Sequence, residues 1–126
     1  MRFEFATATR IIFGPGTISE AASLSAEMGK RAFVITGSSV ERAQPLLERL
    51  GKQGIDYVTF NVPGEPTTIL ATAAAQAARQ SGCELVISIG GGSVLDTGKV
   101  VAAMLTNSGD LKDYLEVVGD GRPLAL

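Results

Sequence analysis

Three consecutive glycines, Gly90, Gly91 and Gly92, connect an apolar segment at 85–89 to a second apolar segment that begins at Ser93. Residues without a Cβ atom let the backbone turn sharply and come close to a bound group. A helix that begins at Ser93 directs free amides and the positive end of its dipole at that group, which favours a phosphate. The structural alternative is a tight strand-to-helix turn that binds no ligand.

Two charged residues, Asp96 and Lys99, follow this turn. Asp96 lies three residues after Ser93, which is the spacing of a capping box in which Asp replaces Glu. Because an Asp96 carboxylate would repel an adjacent phosphate, we expect it to cap the helix, to contact a hydroxyl or to pair with Lys99, three residues on.

Two familiar phosphate motifs do not match these residues. The P-loop requires Ser or Thr after its Gly-Lys pair, but Val100 follows Gly98 and Lys99. The G-x-G-x-x-G dinucleotide fingerprint requires a third glycine where this chain has Leu95. The turn is therefore a phosphate-binding candidate outside both standard patterns.

Composition excludes several classes of function. The 126 residues include no histidine, which rules out a histidine-based triad and the usual imidazole metal site within this chain. The net charge of −2 and the absence of a basic stripe make nucleic acid a poor partner. No apolar run approaches the roughly 18 residues of a membrane span. The single cysteine, Cys83, fits a reducing compartment and is interpreted as a small core or helix-end residue.

The apolar pattern predicts alternating strands and helices that position the glycine turn. Buried strands are predicted at 31–36 and 85–89, and an alternating strand at 55–60. A short N-terminal strand pair that contains Phe3, Phe5 and Arg10–Phe13 is predicted to precede them. This alternation favours a parallel sheet with helices on its faces. Helices are predicted at 17–28, at 40–50 with Pro45 near its start and Gly51 as its cap, at 93–106, and at 110–115. A further helix that runs to Ser81 before Gly82 is predicted to be capped by Thr67 or Thr68.

Ligands of such sheets bind beyond the carboxyl ends of the strands. Two turns are predicted to lie at that edge, residues 37–39 and residues 90–93.

The segment Gly90–Lys99 has the form GGGSxxDxxK, which resembles the signature of the iron-dependent (group III) alcohol dehydrogenase family. Other segments resemble the family in order and spacing, and together they cover essentially the whole chain. These segments are Ile12–Gly16, Phe33–Thr36, Val62–Thr67 and Thr106–Asp110.

The resemblance implies a fold and a division of cofactor binding and metal binding between two domains. Residues 1–126 correspond to a Rossmann-like NAD(P)-binding domain, and the helical domain that binds Fe²⁺ or Zn²⁺ through an aspartate and histidines is absent from this chain. The apolar segment Arg122–Leu126 fits the expectation that the natural protein continues. The implied enzyme is cytoplasmic, acts on a small alcohol or aldehyde, and forms a homodimer through its N-terminal strands.

The resemblance also assigns residues, all of them to cofactor binding. Gly91, Gly92 and Ser93 would contact the pyrophosphate, with Gly90 enabling the turn. Asp96 and Lys99 match the acid and the base of the motif near the cofactor cleft. Catalytic residues and metal ligands are not assigned to this chain.

The adenosine side of the implied site departs from the family at one position. Gly37 replaces an aspartate that many members direct at the adenosine ribose. Because it carries no carboxylate, Gly37 makes room for a 2′-phosphate, with Ser38 and Ser39 as donors. NADP(H) is therefore expected to be accepted and is a candidate for the preferred cofactor. Glu65 lies where the family often has asparagine in the adenosine loop.

Two other interpretations stay open at this point. One is an enzyme similar to dehydroquinate synthase or to glycerol-phosphate dehydrogenase, which share the architecture. The other is a nucleotide-binding module without catalysis, and the 126 residues alone are expected to be inactive.

Overall fold

The computed structural model describes residue 2, residues 9–115 and residues 118–125. Three parallel strands form its sheet in the order β2-β1-β3, so that β1 lies in the centre. β1 and β3 confirm the predicted bounds, and β2 is displaced by one residue. The strands are β1 Arg31–Thr36, β2 Asp56–Asn61 and β3 Leu85–Ile89.

Four α-helices and three 3₁₀ turns accompany the sheet. Pro45 lies in the first turn of α2, as predicted, where its missing amide donor breaks no helical hydrogen bond. Among the described residues, no helix is both long enough and apolar enough to cross a membrane. The helices are α1 Ala21–Ala26, α2 Gln44–Lys52, α3 Thr68–Gln80 and α4 Gly92–Thr106, and the 3₁₀ turns are Thr17–Glu20, Val40–Ala43 and Leu111–Tyr114.

The central strand is buried on both faces, which confirms helices on both sides of the sheet. Phe33 and Ile35 join a core cluster with buried side chains of α3 and α4. Ala32 and Val34 join a second cluster with side chains of α1 and α2. Because alternate residues of a strand point to opposite faces, the continuous apolar run of β1 fills both layers.

The ends of α3 follow the sequence, whereas the end of α2 departs from it. Thr67 caps α3 by accepting a hydrogen bond from the Leu70 amide at 3.1 Å, and Gly82 follows that helix with a φ of 62°. The predicted cap at Gly51 is wrong because α2 continues through it to Lys52. The left-handed conformation is adopted by Gly54, with a φ of 71°, where the chain turns toward β2.

The predicted N-terminal strand pair is not formed at Arg10–Phe13, which has no regular secondary structure. A strand needs a hydrogen-bonding neighbour, and no strand of the described residues pairs with this segment. Phe13 is 99% exposed. The other predicted strand, at Phe3 and Phe5, lies outside the described residues.

Candidate functional site

A cleft opens at the carboxyl edge of the sheet between β1 and β3. Thr36 is paired with Ile89 in the parallel register, so Gly37 and Gly90 leave the sheet side by side. The strand order reverses here, because β2 lies on one side of β1 and β3 on the other. Ligands of doubly wound sheets bind at such a point. A cavity of about 420 Å³ is lined by residues 37–39, Arg42 and residues 89–91.

The three glycines of the turn differ in what the fold requires of them. A Cβ atom on Gly90 would lie 2.7 Å from Val94 Cγ2 and 2.9 Å from Val94 Cβ, so packing excludes a side chain there. A Cβ atom on Gly91 or Gly92 would meet no atom of the described residues within 4 Å. Neither residue has a positive φ. Folding alone therefore does not explain glycine at 91 and 92, and the space beside them is open.

Helix α4 begins at Gly92, with Gly91 as an N-cap that forms no side-chain hydrogen bond. The predicted capping box is wrong because the helix starts before Ser93, which places that residue inside the first turn. The Ser93 carbonyl instead accepts a hydrogen bond from the Thr97 hydroxyl at 2.8 Å. Because the first amides of a helix have no intrahelical acceptor, this uncapped end can bind an anion at the edge of the cavity.

Asp96 and Lys99 form an ion pair, one of the three roles expected for Asp96, with 3.0 Å between Oδ1 and Nζ. Their side chains are 62% and 76% exposed, respectively, so the pair contributes little to stability. Asp96 lines a separate cavity of about 150 Å³ together with Pro66 and Thr67. Glu65 is exposed on the same loop and lines neither this cavity nor the cleft.

The turn after β1 is held in place by the segment that follows β2. Asn61 Nδ2 donates to the Gly37 carbonyl at 2.5 Å. The Ser38 hydroxyl donates to the Pro63 carbonyl at 3.3 Å, so its proton is directed at the neighbouring loop. These two hydrogen bonds join loops that are distant in sequence and position residues 37–39 at the cleft before any ligand binds.

Arg42 belongs to the cleft, and sequence reasoning missed it. It lies in the 3₁₀ turn Val40–Ala43, and its amide donates to the Ser39 carbonyl at 3.2 Å. Arg42 thus follows Ser39 by one short turn, and both residues line the cavity. The sequence signal that could have predicted this was the position of Arg42 one short turn after the Gly-Ser-Ser segment.

Gly98 lets α4 approach β3 closely, and sequence reasoning missed this residue too. A Cβ atom at this position would overlap Ser88 Oγ and lie 3.1 Å from Ser88 Cβ. The third glycine of the dinucleotide fingerprint has this role of close helix–strand packing. In this chain the role belongs to Gly98, about one helical turn beyond Leu95.

Cys83 confirms its interpretation as a structural residue. It packs against the core cluster beneath α3 and α4. Burial raises the pKa of the Cys83 thiol, an effect that the charge of Arg31 and a hydrogen bond with it offset in part. Within the described residues, no three His, Cys, Asp or Glu side chains come together to hold a metal ion.

The Thr36 hydroxyl at the base of the cleft is buried, with 1% of the residue exposed, and Oγ1 has no hydrogen-bond partner among the described residues. We expect Thr36→Val to raise the free energy of unfolding by about 1 kcal/mol, since an unpartnered buried hydroxyl costs roughly 1–3 kcal/mol. Chemical denaturation measures the change.

Thr97→Val is the matched control for this measurement. Thr97 is equally buried, but its hydroxyl donates to the Ser93 carbonyl. Its replacement should therefore lower the free energy of unfolding by about 1 kcal/mol. A loss of stability in Thr36→Val as well would contradict the assignment of an unpartnered hydroxyl.

Comparison with known proteins identifies relatives along nearly the whole chain. The family model for iron-containing alcohol dehydrogenase matches residues 8–125. A sulfoacetaldehyde reductase of Bilophila wadsworthia is 30% identical over 122 residues, which are 93% of this chain and 32% of that protein. A probable alcohol dehydrogenase of Escherichia coli, EutG, is 37% identical over 99 residues, covering 75% of this chain and 25% of that protein.

Solved structures agree with this match. The NADH-dependent butanol dehydrogenase A of Thermotoga maritima superposes with a TM-score of 0.78 at 32% identity, covering 89% of this chain and 30% of that one. A 1,3-propanediol oxidoreductase superposes with a TM-score of 0.83 at 26% identity, covering 90% and 31%. The chain thus spans about a third of the length of the relatives it matches. By its sequence and its fold, it belongs to the iron-containing alcohol dehydrogenase family.

Proposed function

We propose that this chain is the cofactor-binding part of an NAD(P)-dependent alcohol dehydrogenase. The observation that carries the proposal is the pair Gly91 and Gly92, where neither packing nor backbone conformation requires glycine. A ligand that lies against the backbone supplies the missing reason, because a Cβ atom would occupy its place.

The residues of the cleft fit the parts of a dinucleotide. The free amides at the start of α4 and the backbone of Gly91 and Gly92 suit a pyrophosphate. The turn at residues 37–39 lies on the adjacent strand, where sheets of this type receive the adenosine ribose. A cavity of about 420 Å³ joins the two turns. In this proposal Ser93 is a further amide donor, whereas Asp96, Lys99 and Glu65 lie outside the cavity that receives the dinucleotide.

Gly37 supports acceptance of both NAD(H) and NADP(H). An aspartate at this strand end would accept hydrogen bonds from a ribose 2′-hydroxyl and repel a 2′-phosphate. Gly37 carries no charge, and a Cβ atom there would make only an ordinary contact with Val94 Cγ2, at 3.6 Å. The surrounding space therefore accommodates either form of the ribose.

The names of the relatives support the proposed reaction. They include an NADH-dependent butanol dehydrogenase and a 1,3-propanediol dehydrogenase of Citrobacter freundii. A nicotinamide dinucleotide supplies or accepts a hydride when bound, and we propose a small alcohol or aldehyde as its partner. In this reaction the role of this chain is to hold the dinucleotide. The Fe²⁺ or Zn²⁺ site expected of the family is proposed to lie in a helical domain outside these 126 residues.

A homodimer is part of the proposal. The N-terminal segment exposes Ile11 and Phe13, and a largely apolar cavity of about 690 Å³ lies beside it, lined in part by Ile12, Ile18 and Met28. Exposed apolar surface of this kind suits contact with a second copy. Sedimentation equilibrium checks this, and a monomer at all concentrations would contradict it.

The proposal is tested by titrating the 126-residue chain with NADH and NADPH while following nicotinamide fluorescence. We expect saturable binding of a dinucleotide and much weaker binding of nicotinamide mononucleotide, which lacks the adenosine half. Alcohol oxidation with Fe²⁺ or Zn²⁺ is expected only when the metal-binding segment is present. Absence of dinucleotide binding would overturn the assignment, and turnover by the 126 residues alone would contradict the proposed division between domains.

A further inference from the structure

Among the residues that the structure describes, a single charged side chain lines the cleft. Its lining consists of glycine, serine and isoleucine residues together with Arg42, and no carboxylate faces it. Arg42 takes part in none of the ion pairs formed by the described residues, and its side chain forms no hydrogen bond among them. Its guanidinium is therefore available to a ligand.

Arg42 occupies the adenosine side of the cleft. It lies one short turn after Ser39, and residues 37–39 follow the strand beside the glycine turn. The glycine turn itself lies across the cavity, at residues 89–91. A pyrophosphate at the start of α4 thus leaves Arg42 nearer the ribose than the nicotinamide.

Neither Ser38 nor Ser39 can replace Arg42 as the charged partner of a phosphate. The Ser38 hydroxyl donates its proton to Pro63. Ser39 is a neutral donor, and a hydrogen bond that involves a charged group is about twice as strong as one between neutral groups. A phosphate carries two negative charges near neutral pH, and guanidinium matches phosphate geometry with two parallel donors.

We propose that Arg42 binds the 2′-phosphate of NADP(H) and makes the cleft prefer NADP(H) over NAD(H). This inference rests on the proposed function, since it assigns a ligand to one wall of the same site. Gly37 makes the space, and Arg42 supplies the charge that discriminates the two cofactors.

Binding of NADPH and NADH to wild type, Arg42→Ala and Arg49→Ala tests the proposal. Arg49 is the matched control, because it is an exposed arginine later on α2 and does not line the cleft. Wild type should bind NADPH at least about tenfold tighter than NADH. Arg42→Ala should weaken NADPH binding roughly 10- to 100-fold and change NADH binding less than about threefold. Arg49→Ala should change neither.

A fragment of the cofactor locates the effect. Adenosine 2′,5′-bisphosphate should compete with NADPH in wild type and lose most of that ability in Arg42→Ala, whereas 5′-AMP should compete equally in both. An equal loss of NADH and NADPH binding in Arg42→Ala would overturn the proposed role of Arg42, but it would not contradict the proposed dinucleotide site. Equal affinities of wild type for the two cofactors would overturn it as well. Failure of wild type to bind either cofactor would instead overturn the proposed function.

Discussion

Gly92→Ala is expected to abolish most dinucleotide binding while making the protein more stable. Gly92 is the first residue of α4, its φ is not positive, and a Cβ atom there would enter open space. Replacing glycine by alanine at such a position stabilises a protein by about 0.4–1 kcal/mol, mainly because the unfolded chain loses conformational freedom. The same methyl group would occupy the place of the pyrophosphate. We expect an affinity loss of roughly 100-fold, equal to about 2.8 kcal/mol.

Gly51→Ala separates this effect from a general consequence of removing glycine. Gly51 also lies in a helix, and a Cβ atom there would also meet nothing within 4 Å among the described residues. It should raise the free energy of unfolding by a similar amount and leave dinucleotide affinity unchanged. Denaturant unfolding and fluorescence titration measure the two quantities. If Gly92→Ala bound the dinucleotide as well as Gly51→Ala, the close approach of a ligand to the turn would be disproved.

Gly90→Ala is expected to have the opposite effect on stability. The added Cβ atom would lie within 3 Å of two atoms of Val94, which is buried and begins the packing of α4 against the sheet. The β-branched side chain of Val94 has one strongly preferred rotamer in a helix, so it cannot swing away. The backbone must shift, and overpacking of this kind costs about 1–3 kcal/mol. Dinucleotide binding should decrease to the extent that the folded protein is lost.

A double-mutant cycle with Val94→Ala identifies the cause. Val94→Ala removes both methyl groups that face Gly90, so the combined variant should be more stable than the sum of the two single losses by at least about 0.5 kcal/mol. Additive losses would mean that the two Val94 methyl groups are not what excludes a side chain at position 90.

Strand and helix positions could be predicted where the local sequence decides them. β3 was predicted at its observed bounds because an apolar run at 85–89 ends directly at glycine. Thr67 or Thr68 was predicted as a cap because a threonine hydroxyl is the kind of acceptor that a helix start requires, and the structure uses Thr67. The N-cap of α4 was missed because Gly91 offers no side chain as a signal, whereas Ser93 offers one that the structure does not use in this way.

Residues whose role depends on a distant neighbour were harder to predict. Gly98 matters because of Ser88, and that contact follows from how α4 docks on β3. Arg42 reaches the cleft only because the chain forms a 3₁₀ turn at Val40–Ala43 before the α-helix begins. The segment Arg10–Phe13 has a strand-like pattern, but pairing depends on a neighbour that a local pattern does not specify.

The strand order also determines when the cleft forms during folding. β1 and β2 are neighbours in sequence as well as in the sheet, whereas β3 can pair with β1 only after the chain has passed through β2 and α3. The second pairing closes the longer loop and therefore carries the larger entropic cost. The two walls of the cleft, at the ends of β1 and β3, come together only in this late pairing. A bound dinucleotide should therefore stabilise the native state more than the transition state for folding. We therefore expect it to slow unfolding and to leave the refolding rate nearly unchanged.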